Sequence, residues 1–164
     1  MLKKIVTFTF FLLFIFGCNY KPLYQNNIDN SFNIELTSLE GDNQVNSIIQ
    51  LNLNRFNNKK SSKKFNIKIN SSYNKIVIAK NTAGNNTNYQ IMITSNFFIK
   101  SEIIEKTLTI TEKFNFTEGE NTFENNDYER IIKNNMISSI TNKLIMELTK
   151  IKWSWNFMIS IKLI

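Results

Sequence analysis

Apolar and polar residues alternate along four stretches of the chain, and such alternation is typical of strands that bury one face. The first stretch covers residues 32–39 and stops at Gly41. The second covers residues 65–78 and is predicted to break at Ser71 and Ser72, and a polar turn over residues 81–88 separates it from the third. The apolar positions of the four stretches include Phe32, Ile34 and Leu36; Phe65, Ile67 and Ile69; Tyr89, Ile91 and Ile93; and Leu108, Ile110, Phe114 and Phe116.

Two other stretches repeat their apolar residues at helical spacing. The first follows Asp42, whose carboxylate can cap a helix, and closes in the polar run over residues 57–64. The second is predicted to start at Asn126, with Glu129 completing a capping box. The apolar stripes are Val45, Ile48, Ile49, Leu53 and Phe56 in the first helix, and Tyr128, Ile132, Met136, Ile140, Leu144 and Leu148 in the second.

The order of elements is therefore β-α-β-β-β-α. Two helices that each carry one apolar stripe bury it most simply against one face of a sheet. We predict an α+β fold in which two helices pack on a roughly four-stranded sheet. The chain is long enough for one such domain with its own core.

The C-terminal residues 151–164 carry an apolar residue at every odd position, beginning with Ile151, Trp153 and Trp155. This is strand period, so an additional C-terminal strand is predicted. It would join the domain's own sheet or pair with a partner, because an exposed apolar edge is prone to aggregate. The alternative is that the second helix continues through Lys152 and that the remaining residues fray.

The N-terminus has the layout of a secretory signal. Two lysines precede an uncharged, mostly apolar run over residues 5–16, which is too short for a transmembrane helix. Residues 15–18, with Gly17 before Cys18, resemble the lipobox of bacterial lipoproteins, in which the cysteine receives the acyl chains. We predict a lipoprotein signal peptide at 1–17, a lipidated tether at 18–31 and a single α/β domain at 32–164.

The composition leaves few routes to catalysis. The 164 residues include no histidine and one cysteine, so the usual ligands of zinc, haem and iron–sulfur centres are missing, as are the parts of a nucleophilic triad. An acidic stretch could supply paired carboxylates, but its residues equally suit a solvated loop that runs into a helix start. We expect no catalytic residue, no metal and no cofactor. The stretch contains Glu118, Glu120, Glu124, Asp127 and Glu129.

The net charge of +7 is unevenly distributed. No acidic residue lies between Asp42 and Glu102, whereas nine lysines and arginines do. Such a field attracts anionic partners. Anionic lipid head groups and phosphorylated glycolipid are candidates, and export makes nucleic acid the least expected partner. The alternative is a solvated face that keeps the protein soluble.

The segment CNYKPLY, residues 18–24, resembles the mature start of LPS-assembly lipoproteins of the LptE family, many of which carry a close relative of CGYKPLY. The order of elements resembles this family over nearly the whole chain. The resemblance implies an LptE-like domain in a non-enzymatic lipoprotein, anchored through Cys18 on the periplasmic side of the outer membrane. By resemblance to the sorting habit of lipoproteins, Asn19 rather than Asp after the cysteine points to the outer membrane.

The same resemblance implies two partners. The first is LptD, an outer-membrane barrel that the lipoprotein plugs and helps to assemble. The second is lipopolysaccharide on its way to the cell surface. The cations that border polar turns are the predicted lipopolysaccharide-binding residues, because head groups can approach there. They are Arg55, Lys59, Lys60, Lys63, Lys64 and Lys80.

Two other functions stay open. One is a small envelope lipoprotein that serves as a scaffold or auxiliary subunit of a transport complex, without a glycolipid ligand. The other is an envelope hydrolase that uses Glu118 or Glu120. Copurification with an outer-membrane barrel favours the LptE-like function, whereas copurification with an inner-membrane transporter favours the scaffold.

Overall fold

The computed structural model describes residues 32–119 and 121–162, and within the last helix it describes side chains as far as Ile151. The predicted signal peptide 1–17 and tether 18–31 lie outside these residues. The predicted order of elements is confirmed. The elements are β1 (Asn33–Gly41), α1 (Asn43–Asn54), β2 (Lys64–Lys80), β3 (Asn86–Lys100), β4 (Glu105–Thr117) and α2 (Thr122–Lys162).

The four strands form one mixed sheet in the order β1-β2-β3-β4. β1 runs parallel to β2, because α1 carries the chain back between them, and the other neighbours are antiparallel. β1 pairs only with residues 64–71 of β2, so the second half of β2 has no neighbour on that side among the described residues. We call the end of the sheet where β1 and β4 begin the basal end. The opposite end, beyond the β2–β3 turn, is the distal end.

The core lies between one face of the sheet and the two helices. Every second residue is buried there along residues 65–71 of β2 and residues 91–99 of β3, which explains the alternation in these stretches of the sequence. Each fully buried aliphatic side chain contributes about 1.5–3 kcal/mol. The fully buried residues include Val45, Ile49, Ile67, Ile69, Ile91, Ile93, Ile137, Ile140 and Leu144.

The predicted break in the second strand is wrong, because β2 continues through Ser71 and Ser72. Ser71 fits inside the sheet since its polar groups are paired. Its hydroxyl donates to Asn46 Oδ1 at 2.8 Å, and its carbonyl accepts from the Asp42 amide at 2.9 Å. β2 is therefore one long strand, about 55 Å from end to end.

The turn from β1 into α1 depends on Gly41 and Asp42. Gly41 has a φ of 87°, and a Cβ on this residue would lie 1.9 Å from the Ser71 carbonyl oxygen. The predicted cap is confirmed, because the Val45 amide donates to Asp42 Oδ1 at 2.8 Å. The glycine thus brings β1 close against β2 immediately before the helix begins.

The second helix begins one turn earlier than predicted. Asn121, rather than Asn126, supplies the cap, and the Phe123 amide donates to its side-chain oxygen at 3.0 Å. The side-chain amide of Asn121 donates in turn to Glu124 Oε1 at 3.0 Å. Asn121 and Glu124 have the same spacing as Asn126 and Glu129, so the capping pattern occurs twice in the sequence and the earlier copy is used.

The predicted C-terminal strand is wrong over residues 151–162, which continue α2. α2 contains no Gly or Pro, so the sequence supplies no helix stop. Adding a residue to an existing helix forms one backbone hydrogen bond, whereas a strand would need a reversal of the chain and a free sheet edge. Within the described residues, no helix is both long and apolar enough to cross a bilayer.

Candidate functional site

The connection from α1 to β2, residues 55–63, contains four of the predicted lipopolysaccharide-binding residues, and we call it the basic loop. They are Arg55, Lys59, Lys60 and Lys63. The loop lies at the basal end, directly beside the start of β1. The Asn33 amide donates to the Lys63 carbonyl at 2.7 Å, and the Asn58 amide donates to the Phe32 carbonyl at 3.1 Å. The basic loop therefore borders the point where the predicted tether joins the domain.

Asn57 attaches the basic loop to the edge of the sheet. Its side-chain oxygen accepts from the Ile34 amide at 2.9 Å, and its side-chain nitrogen donates to the Ile34 carbonyl at 2.9 Å. One amide side chain thus satisfies both backbone groups of an edge residue, as a neighbouring strand would. This contact fixes the position of the loop that carries the cations.

The segment that lacks acidic residues in sequence does not lack them in space. β1, β4 and α2 bring carboxylates beside its lysines. The Glu40 pKa is lowered, mainly because Lys68 donates a hydrogen bond to it. The ion pairs are Lys64 with Glu35, Lys68 with Glu40 at 2.6 Å, Lys75 with Glu118 and Glu129 at 2.7 Å each, and Lys100 with Glu105 at 3.8 Å.

The six predicted lipopolysaccharide-binding residues do not form one cluster. The four in the basic loop lie together, and in the described part of the chain none of them forms an ion pair. Lys64 lies beside them but is paired with Glu35. Lys80 is at the other end of β2, about 50 Å away. Of the six, only the four residues of the basic loop form a group of cations without ion-pair partners in the described part of the chain.

Sequence reasoning missed a polar cluster that joins the sheet to α2, which we call the Lys75 cluster. Lys75 Nζ donates to Glu118 Oε1 and Glu129 Oε2, each at 2.7 Å. The Tyr73 hydroxyl donates to Glu129 Oε1 at 2.5 Å. Lys75 Nζ also lies 4.4 Å from the centre of the Tyr89 ring, a cation–π contact.

The Lys75 cluster favours the ionised form of Glu129. Burial alone would raise the Glu129 pKa, but hydrogen bonds from Lys75 and Tyr73 outweigh burial and hold the Glu129 pKa below its ordinary value. Burial raises the Tyr73 pKa, and the hydrogen bond to Glu129 raises it further. A carboxyl group in this setting stays charged and serves as an acceptor, not as a proton donor. Of the two carboxylates considered for hydrolysis, Glu118 accepts a hydrogen bond from Lys75 in this cluster, and Glu120 lies outside the described residues.

The distal end exposes apolar residues on the edge of β2 that has no neighbouring strand among the described residues. Ile76, Val77 and Ile78 are 49%, 42% and 45% exposed. Nearby at the start of α2, Phe123 is 79% exposed. Exposed apolar side chains along a strand edge are typical of an interface with another chain.

Comparison with known proteins identifies the fold. No known family profile and no curated protein matches the sequence. Rare lipoprotein B from Shewanella oneidensis has a TM-score of 0.55 at 9% identity, over 74% of this chain and 99% of that chain. A minor lipoprotein from Acinetobacter baumannii has a TM-score of 0.50 at 12% identity, over 72% and 94% of the two chains. A lipoprotein from Caulobacter crescentus has a TM-score of 0.55 at 8% identity, over 78% and 93%. The described domain thus has the fold of these lipoprotein structures.

Proposed function

We propose that this protein is an outer-membrane lipoprotein of the LptE type, anchored through acylated Cys18 on the periplasmic side. It occupies the lumen of an LptD barrel, assists its assembly and binds lipopolysaccharide during delivery to the outer leaflet. The proposed role is non-enzymatic. The observation that carries it is the fold, which aligns with 99% of the rare lipoprotein B chain and follows a lipobox and the segment CNYKPLY in this sequence.

The distal end supports a protein partner. At Ile76, Val77 and Ile78 its strand edge combines exposed apolar side chains with backbone that no strand in the described part of the chain pairs on that side. Such an edge is prone to pair with another chain, so a partner that covers it is expected. The wall of a surrounding barrel would do so.

The basic loop supports a phosphorylated glycolipid as ligand. Lysine acts toward phosphate as a mobile point charge, and three of the four cations of the loop are lysines. Since these cations have no carboxylate partner among the residues described, their field is available to an anion. Lys64 and Lys80 stay in the proposal as weaker contributors.

A pull-down of the membrane-extracted protein in mild detergent, with its partner identified by mass spectrometry, tests this function. The expected partner is an outer-membrane barrel. Ile78→Glu should reduce the recovered barrel, whereas Leu51→Glu, which changes an exposed residue of α1, should not. Recovery of an inner-membrane transporter, with no barrel, would instead support a scaffold role.

A further inference from the structure

The basal end is the part of the domain that the tether keeps closest to the membrane. Residues 19–31 separate Cys18 from Phe32, and an extended chain of this length spans at most about 50 Å. The distal end lies farther than this from Phe32, since β2 alone measures about 55 Å. With its acyl chains in a bilayer, the protein therefore cannot stand with its distal end on the membrane and its basal end at the far side of the domain, because the tether would be too short.

α2 runs toward the same basal end. In the middle of β4, Ser139 Oγ donates to Glu112 Oε1 at 2.7 Å. Near the start of β4, Lys106 Nζ lies 3.1 Å from Glu147 Oε2. α2 then continues to Lys162, which adds about 22 Å of helix beyond Glu147. Its last turns, residues 152–162, thus extend past the sheet on the tether side.

The sequence of these last turns is suited to a membrane surface. Residues 152–162 contain Trp153 and Trp155, together with Phe157, and no acidic residue. An alternating pattern wound into a helix puts apolar positions on all sides, and a helix of this kind is not stable in water without cover. Tryptophan is enriched where a bilayer meets water.

The basic loop adds the charge that an anionic bilayer attracts. The loop lies beside Phe32, where the predicted tether joins the domain, and so at the basal end toward which α2 runs. Basic clusters next to a lipid anchor are drawn to anionic head groups, and an acyl anchor is commonly reinforced by such a second signal.

We infer that the basal end is a second membrane-binding surface, at which the basic loop and residues 152–162 contact the anionic phospholipid surface that holds the acyl chains. This inference rests on the proposed lipidation of Cys18. Docking would hold the basal end at the membrane surface and leave the distal end free to enter the lumen of the barrel partner. The bilayer and lipopolysaccharide would then compete for the cations of the basic loop.

Tryptophan fluorescence tests the inference directly, because Trp153 and Trp155 are the two tryptophans of the chain. The membrane-extracted protein is reconstituted in vesicles of phosphatidylcholine, alone or mixed with phosphatidylglycerol. In the anionic vesicles we expect a blue-shifted emission that brominated phospholipid quenches and acrylamide does not reach. In the neutral vesicles shielding should be weaker, and added salt should weaken it in the anionic ones.

A matched pair of double variants assigns the charge effect to the basic loop. Lys59→Gln with Lys60→Gln should lower the ratio of docked to undocked protein by about tenfold or more, since each cation near an anionic surface contributes severalfold. Lys113→Gln with Arg130→Gln removes the same charge from exposed positions outside the basal end and should change this ratio little.

Three outcomes would overturn the inference. Acrylamide could reach the tryptophans equally in neutral and anionic vesicles. The tryptophans could be shielded from acrylamide and yet not quenched by brominated phospholipid, which would show packing on the domain or on a second copy. They could also become shielded only when a barrel partner is added. Failure of the lipidation itself is detected separately, from the mass of the N-terminal fragment and from loss of flotation with neutral vesicles.

Discussion

At the residue scale, Gly41 shows how one position fixes the approach of two elements. Its φ of 87° lies in the left-handed region, and a Cβ would meet the Ser71 carbonyl oxygen at 1.9 Å. Gly84 has a similar φ of 85° but no atom within 4 Å of the added Cβ. A side chain at Gly84 would therefore add backbone strain alone, whereas a side chain at Gly41 would add the same strain and a steric overlap with β2.

We expect Gly84→Ala to lower the free energy of unfolding by about 1–2 kcal/mol, the cost of a left-handed residue with a side chain. Gly41→Ala should lower it by about 4 kcal/mol or more, because β1 must also move away from β2. Urea unfolding followed by circular dichroism measures both. Equal losses for the two variants would contradict the account of the turn.

Glu129 gives the described domain a defined sensitivity to acid. Its pKa is lower in the folded protein than the ordinary value of 4.5, so its stabilising effect is complete above that pH. The effect is lost as the pH falls through the folded pKa. Glu129→Gln should lower the free energy of unfolding at neutral pH by about 1 kcal/mol and flatten its fall below pH 4.5.

The control for Glu129 is Glu105→Gln, whose side chain is 80% exposed and pairs with Lys100 at 3.8 Å. This variant should leave the acid profile nearly unchanged. The pKa values of Glu112 and Glu147 are also lowered. For Glu112, hydrogen bonds from Lys143 and Ser139 outweigh burial, and for Glu147 hydrogen bonds from Lys150 and Lys106 are the main causes. Part of the dependence of stability on pH should therefore remain in Glu129→Gln. An unaltered slope in that variant would show that the Lys75 cluster does not couple stability to protonation.

At the element scale, the basic loop keeps its place through Asn57. Replacing Asn57 by Ala leaves the amide and the carbonyl of Ile34 without their partner. We expect a loss of about 1–3 kcal/mol in the free energy of unfolding. Hydrogen exchange should quicken at the Ile34 amide. Asn54→Ala, an exposed change at the last residue of α1, should do neither.

The elements that the sequence predicted well are those whose pattern comes from burial. The alternation of Ile67 with Ile69, or of Ile91 with Ile93, exists because each strand has one face in the core. The boundaries of α2 were missed for two reasons. The capping pattern occurs twice at its start, and at its end an apolar period of two competes with continuation of an already formed helix.

The candidate site was harder to predict because charge acts across space. Lys75 meets Glu118 and Glu129, which are 43 and 54 positions away in sequence, and no periodicity links such residues. For the same reason, the acid-free segment appeared as one cationic region. In the fold, the cations of the basic loop form no ion pair among the described residues, and of the other cations in this segment only Lys80, at the far end of β2, is like them.

At the scale of the whole molecule, the proposed glycolipid affinity depends on charge gathered at one end. Replacing Arg55, Lys59, Lys60 and Lys63 together by Gln should weaken binding of lipopolysaccharide to the detergent-solubilised protein about tenfold or more and reduce its salt dependence. Lys80→Gln should weaken it far less, because this residue lies at the other end of β2. If the fourfold variant binds as tightly as the parent, the basic loop is only a solvated surface.

The proposed position of the molecule in the envelope depends on its predicted first mature residues. If Cys18 is the acylated N-terminus, mass spectrometry of membrane-extracted protein should find a fragment that starts at Cys18 and carries acyl mass. Cys18→Ala should prevent acylation and cleavage and leave residues 1–17 attached. Asn19→Asp should keep the acyl chains but move the protein to the inner-membrane fraction, by resemblance to the sorting habit of lipoproteins. A parent protein that retains Met1 would rule out the anchor. A parent that is acylated yet fractionates with the inner membrane would keep the anchor and remove the outer-membrane assignment.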